Sequence, residues 1–160
     1  MNRPSALMLR PARTSEAQAL AEMSRDLIEV GLGWRYTPPR MAALIGDPET
    51  VALVASDASG IQGFAIMQFG DDQAHLTLLC VQPTQQRRGI GRRLNEWLVE
   101  SARVAGIASI QLELRADNAV ALAFYPRLGF TATQLVPDYY GGQFAARRMV
   151  LRLRQAGATP

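Results

Sequence analysis

The residues best suited to chemistry form one run: Leu78-Leu79-Cys80-Val81-Gln82-Pro83-Thr84-Gln85-Gln86-Arg87-Arg88-Gly89-Ile90-Gly91-Arg92-Arg93-Leu94. An apolar, strand-like stretch leads into a loop holding Gly89 and Gly91, and a helical pattern starts at once. The first N–H groups of a helix lack intrahelical partners, and the macrodipole leaves partial positive charge there. Glycine lets that backbone come close to a bound group with no Cβ in the way. Arg87, Arg88, Arg92 and Arg93 add charge, so the segment reads as a pyrophosphate site. An NTPase loop would need Gly-Lys-Ser/Thr, and this chain contains no Lys. A dinucleotide loop would need a third glycine where Leu94 stands. The same arginines could instead form a solvated helix face or a nucleic-acid surface. The nucleic-acid reading ranks last, because stacking aromatics are not interleaved with them.

Other reactive side chains point less clearly to a task. Cys80 lies inside an apolar strand, where a thiol is an inert small hydrophobe rather than a nucleophile. His75, the only histidine, has no second ligand near it in sequence and reads as a strand-surface residue. No metal site is expected.

A second block follows the first: Leu112-Glu113-Leu114-Arg115-Ala116-Asp117-Asn118-Ala119-Val120-Ala121-Leu122-Ala123-Phe124-Tyr125-Pro126-Arg127-Leu128-Gly129-Phe130. Gln86-x-x-Gly89-x-Gly91 resembles the pyrophosphate motif of the GNAT superfamily of N-acetyltransferases. The strand, Asn, short helix ending in Tyr, and Gly-Phe of the second block resemble that superfamily's second signature. Within the superfamily, Leu112–Arg115, Asp138-Tyr139-Tyr140-Gly141-Gly142 and Arg148-Met149 are most similar to bacterial enzymes that acetylate N-terminal amines of ribosomal proteins. In those enzymes an acidic pair usually follows the tyrosine pair. Here Phe144-Ala145 stands at about that place.

The resemblance implies direct transfer of acetyl from acetyl-CoA to a primary amine, with no acyl-enzyme and no metal. It implies that Gln86, Arg87, Arg88, Gly89, Ile90, Gly91 and Arg92 hold the coenzyme pyrophosphate. Backbone groups of Leu79, Cys80 and Val81 would meet the pantetheine, and Asn118 would bond the coenzyme arm or cap its helix, or both. Tyr125 would lie by the coenzyme sulfur and protonate the thiolate; otherwise it is a core aromatic beside Phe124. Glu113 would be the general base, directly or through a water; otherwise it is the anion of a salt bridge to one of the arginines. Flanked by Leu112 and Leu114 on a strand, it points to the opposite face from both. Trp34, Tyr139 and Tyr140, with Tyr36, could line an acceptor pocket or simply close a core. The acceptor is a protein N-terminal amine or a small-molecule amine such as a polyamine, amino acid or drug. A non-catalytic domain that only binds acetyl-CoA is the alternative of another class. A homodimer is compatible with the sequence.

The elements that must position these residues follow from periodicity. Leu7–Arg10 reads as a strand, and Ser15-Glu16-Ala17-Gln18 as a capping box opening a helix through Val30 that Gly31 and Gly33 end. Pro38-Pro39 opens a second helix through Ile45. Thr50–Ala55, Ile61–Phe69 and His75–Val81 form an antiparallel meander, and their near-continuous apolar runs predict cover on both faces. A helix follows from Ile90 to Val104, then a strand at Ser109–Leu114, a helix at Ala119–Leu128, and strands at Phe130–Val136 and Phe144–Leu153. The fold class expected is α/β, a GNAT-type acyl-CoA N-acyltransferase fold with a mixed, mostly antiparallel sheet flanked by helices. Residues 1–160 are expected to make one domain.

Composition sets the outer bounds. With 48% hydrophobic and 19% charged residues the chain is of ordinary globular type, and its formal net charge is +3. No apolar run approaches the ~20 residues a membrane span needs, so no membrane partner is expected. Met1–Ser5 has no apolar core behind it, so no signal peptide is expected, and one cysteine suits a reducing, cytoplasmic setting.

Overall fold

The computed structural model describes residues 6–86, 88–142 and 144–154. Among them run seven strands and four α-helices in the expected order: β1 (Met8–Pro11), α1 (Ala17–Leu27), α2 (Pro38–Gly46), β2 (Thr50–Asp57), β3 (Gly60–Phe69), β4 (Gln73–Val81), α3 (Ile90–Val104), β5 (Ser109–Arg115), α4 (Ala119–Arg127), β6 (Thr131–Tyr140) and β7 (Phe144–Arg152). The strands hydrogen-bond in the order β1-β2-β3-β4-β5-β7-β6. Strands β4 and β5 are joined as a parallel pair, by way of the crossover helix α3; the ladders β1–β2, β2–β3, β5–β7 and β6–β7 are antiparallel.

The chain packs as two compact units, the first holding Met1–Gln68 and Thr77–Leu98, the second Phe69–Leu76 and Val99–Pro160. In the first, Leu20 and Ala21 of α1, Met41 of α2, Val54 of β2, Phe64 and Ile66 of β3, and Leu78 and Cys80 of β4 form one apolar cluster. Gly63 of β3 lets this unit close. A Cβ there would stand 2.9 Å from the Cys80 carbonyl oxygen and 3.3 Å from Ile90 Cγ2 of α3. In the second unit Ile110, Leu112, Leu114, Tyr125, Phe130, Ala146 and Met149 are buried.

Three local expectations are corrected. The Ser15 capping box is absent: a single 3₁₀ turn at Thr14–Glu16 precedes α1, and Glu16 accepts the Arg13 N–H at 2.8 Å. Two fork bonds from Arg10 hold the same carboxylate at 2.7 and 2.8 Å, so Glu16 spends its oxygens on β1 as well as on the helix start. Helix α1 ends at Leu27 rather than Val30, because Glu29 turns inward and the chain passes through Gly31 at φ 78°. Strand β6 runs on past Val136 to Tyr140, with Asp138 at φ 56° absorbing the irregularity.

Burial along the strands also differs from the expectation. Only β3 is buried continuously, over Gln62–Met67, whereas β4 and β5 alternate. That alternation matters for the chemistry. It places Leu112 and Leu114 on one face of β5 and Gln111, Glu113 and Arg115 on the other.

Candidate active site

The glycine loop lies in the first unit. After β4, Gln82 donates its backbone N–H to the Gln62 carbonyl at 2.8 Å, and a 3₁₀ turn at Pro83–Gln85 carries the chain toward α3. Gln86 donates its side-chain amide to the Val81 carbonyl at 3.4 Å, and Arg88 donates to Gln85 Oε1 at 2.6 Å. Gly89 takes φ 77°, with open space where a Cβ would stand. Arg93 N–H bonds the Gly89 carbonyl at 3.0 Å and opens the helical ladder. The N–H groups of Gly91 and Arg92 therefore precede that ladder. Ile90 turns its side chain into the core, so only its backbone is offered to a ligand. Arg88 is exposed, and Arg92 pairs with Glu96 one turn on at 3.1 Å. Arg87 lies outside the described residues. Leu79 and Val81 are half-buried on β4, and burial pushes the Cys80 thiol up to about 12, which leaves it inert as a nucleophile.

The carboxylate expected as base lies in the second unit and is more elaborately held than the sequence suggested. Glu113 pairs in register with Arg148 of β7, and its neighbour Gln111 pairs with His75 of β4, which puts all four on one face. The Glu113 side chain is only 8% exposed. Its Oε1 accepts the Tyr139 hydroxyl at 3.1 Å and lies 3.1 Å from His75 Nε2, while Arg148 Nε stands 3.7 Å from Oε2. Burial by itself would raise the Glu113 pKa. The hydrogen bond and attraction of His75, the Tyr139 hydroxyl and the Arg148 charge outweigh it and hold the carboxyl below its ordinary value. Oε2 is buried and has no hydrogen-bond partner among the described residues. On that side it faces Arg148, whose Nε is likewise buried without a hydrogen-bond partner among the described residues, and the two meet as an ion pair across a gap longer than a hydrogen bond.

Tyr125 sits on the last turn of α4, where Pro126 and then Gly129, at φ 96°, turn the chain into β6. Its ring packs edge-on against Phe124 and Phe130, with centroids 5.0 and 5.4 Å apart. Burial raises the phenol above its usual range and keeps it protonated. The residue as a whole is only 9% exposed. Asn118 caps α4: its Oδ1 accepts the Ala121 N–H at 3.1 Å, which leaves the amide NH₂ end separate from the cap.

The aromatic candidates part company. Tyr139 joins Glu113, and Tyr140 stacks edge-on against it at 4.8 Å. Trp34 instead donates its indole N–H to the Ala21 carbonyl at 3.1 Å and lies under Arg25 in the first unit. Two residues escaped the sequence reading. His75 is not a bystander on a strand surface, since it meets Glu113. Glu29, 6% exposed, accepts Ser24 Oγ at 2.8 Å and the Arg35 and Tyr36 N–H groups at 2.7 and 3.1 Å, pinning the loop that leads to α2. Only the parallel register of β4 and β5 could have revealed His75, and a single sequence does not encode it visibly. Among the described residues no cluster of His, Cys, Asp and Glu could hold a metal ion.

The sequence profile of the acetyltransferase (GNAT) family matches residues 19–130. The chain belongs to the GNAT acetyltransferase family. Among curated GNAT relatives, the ribosomal protein bS18-alanine N-acetyltransferase of Escherichia coli is 43% identical over 77 residues, 48% of this chain and 52% of that protein. This chain thus matches about half the length of those relatives. The N-alpha-acetyltransferase RimI of Mycobacterium tuberculosis is 32% identical over 130 residues, 79% of each chain. The crystal structure of the Escherichia coli ribosomal-protein-S18-alanine N-acetyltransferase superposes with a TM-score of 0.82 at 27% identity, over 97% of this chain and 99% of that one. The GNAT fold expected from the two motifs is the fold observed.

Proposed function

We propose that this GNAT chain acts over residues 1–160 as one N-acetyltransferase domain, passing acetyl from acetyl-CoA directly to the N-terminal amine of a protein. The observation that carries this reading is Glu113, a nearly buried carboxylate that stays charged, whose Oε2 makes no hydrogen bond among the described residues and meets Arg148 Nε only at 3.7 Å. That leaves Oε2 able to accept an amine N–H. The glycine loop fits the pyrophosphate: open space at Gly89, an exposed Arg88 and the N–H groups of the first turn of α3, which precede its helical ladder. Backbone groups of Leu79, Cys80 and Val81 would meet the pantetheine, and the Asn118 amide the coenzyme arm.

In this reaction Glu113 takes a proton from the amine nitrogen as that nitrogen bonds the acetyl carbon. Tyr125 then gives its hydroxyl proton to the departing thiolate and regains one when departure of the coenzyme lets water reach it. A carboxylate of lowered basicity works only in concert with attack, so the amine must arrive neutral. At pH 7 roughly one in ten α-amino groups is neutral, against about one in 2,500 lysine amines. That difference favours an N-terminal acceptor, in line with the names of the two relatives.

One observation favours a second reading. About where the resemblance leads one to expect an acidic pair, Phe144 lies under the Arg115 guanidinium at 4.0 Å and Arg115 pairs with Asp117. The anions expected of a peptide-acetylating enzyme are thus missing at that place, which leaves a small-molecule amine open as the acceptor. The single cysteine, buried as a free thiol, fits a reducing, cytoplasmic setting.

The test is coenzyme thiol release from acetyl-CoA with alanine-, serine- and methionine-initiated peptides beside spermidine and free amino acids. Turnover with peptides alone supports the proposal. Turnover with small amines alone replaces the acceptor, and silence with all of them would leave a coenzyme-binding domain.

A further inference from the structure

We propose that His75 is the proton outlet of the site, a positioning residue that reloads Glu113 by carrying the amine proton from the buried carboxylate to solvent. The inference rests on the reading of Glu113 as the base. Its geometry is separate: His75 Nε2 lies 3.1 Å from Glu113 Oε1, and the imidazole side chain is 38% exposed where the carboxylate is 8% exposed. A carboxylate this buried can accept a proton yet has little direct contact with water to return it. Among the described groups around it, Arg148 is a permanent cation with no site for another proton, and Tyr139, whose hydroxyl donates to the same Oε1, would have to give up a phenol proton to pass one on. Gln111, between the two on the same face, is neutral. An imidazole ring carries one nitrogen that donates and one that accepts, so it can take a proton on one side and release another on the other.

The transfer balances. After attack Glu113 is a neutral carboxylic acid. With the carboxyl group turned so that its proton lies on Oε1, the O–H bond breaks as an Nε2–H bond forms on a ring protonated at Nδ1, giving a carboxylate and an imidazolium. The imidazolium loses its Nδ1 proton to water, and the neutral ring frees Nε2 again by tautomer exchange with solvent. One proton leaves for each acetyl group transferred, and Glu113 ends ionised. The strand register makes the pairing, because β4 and β5 run parallel with His75 beside Gln111, one step along the face from Glu113.

The experiment uses the full chain, acetyl-CoA and an alanine-initiated peptide, with His75→Gln, His75→Ala and Glu113→Gln made side by side. His75→Gln keeps an amide donor to Glu113 and removes only the relay. The expected result is a kcat at least ~10-fold lower in both His75 variants. The KM for acetyl-CoA should stay unchanged, and added imidazole should restore His75→Ala in proportion to its concentration. A His75→Gln enzyme running at the wild-type rate overturns the relay, and so does a loss that imidazole fails to rescue. If Glu113→Gln keeps its activity, the base reading itself falls. If Glu113→Gln is dead and His75→Gln is not, only the relay falls.

Discussion

Replacing Gly63 by alanine tests how the coenzyme loop is held. Gly63 is not one of the positive-φ glycines, so its requirement is one of space rather than backbone conformation. An added Cβ would meet the Cys80 carbonyl at 2.9 Å, Ile90 Cγ2 at 3.3 Å and Leu94 Cδ1 at 3.4 Å. The last is ordinary contact and the second is tight. The first is shorter than the ~3.3 Å at which carbon and carbonyl oxygen normally meet. Because that oxygen belongs to backbone, no rotamer change relieves it: β3, β4 or the first turn of α3 must move. Overpacking of this kind costs about 2 kcal/mol. For a domain of this size that lowers Tm by about 4–8 °C. The displaced elements carry Cys80 and Ile90, so the KM for acetyl-CoA should rise as well. Gly60→Ala is the contrast, with φ 114° and open space around the added carbon. It should lower Tm through strain and leave the KM alone. Thermal unfolding and thiol-release kinetics on the two variants read both effects. A Gly63→Ala protein with wild-type Tm and wild-type KM would refute the reasoning.

Three further outcomes follow from the geometry. Tyr125→Phe keeps the packing against Phe124 and Phe130 and removes only the proton donor, so kcat should fall ~10²-fold with little change in Tm; an unchanged kcat would return Tyr125 to the core. Glu16 is held down from 4.5 to about 2, chiefly by its Arg10 hydrogen bonds. A depressed folded-state pKa gives stability that is whole above the unfolded value and lost as pH falls through the folded one. Wild type should therefore exceed Glu16→Gln by about 1 kcal/mol, after allowance for solvent screening. Unfolding curves of the two should converge as pH drops from about 4.5 to about 2, and a gap that persists at low pH would count against the ion pair. Cys80, buried with its thiol near 12, should resist thiol reagents until the protein unfolds; rapid labelling of the folded chain would contradict its place in the core.

The element order and the glycine loop were legible because they rest on local signals: apolar period, Pro38-Pro39 at a helix start, and paired glycines before Leu94. Glu113 was legible as well, since strand alternation alone turns it away from Leu112 and Leu114. What escaped depends on distant partners. Glu16 looked like part of a capping box because nothing local announces the Arg10 fork. Val30 continued the helical stripe, yet the helix stops at Leu27 because Glu29 finds better partners in Ser24, Arg35 and Tyr36. Pro137-Asp138 looked like the end of a strand, and the chain instead absorbs it as an irregularity on the way to Tyr139 and Tyr140. His75 and Glu113 lie 38 residues apart, and only the parallel register across α3 brings them within hydrogen-bonding distance.

The most direct test of the account is the single-turnover rate of acetyl transfer to an alanine-initiated peptide by Glu113→Gln, beside its binding of acetyl-CoA. The substitution keeps shape and the Tyr139 contact while removing the charge that takes the amine proton. The account expects coenzyme binding to be retained and the transfer rate to fall ~10²- to 10⁴-fold. Transfer at the wild-type rate would show that Glu113 is a structural anion and that the amine loses its proton elsewhere.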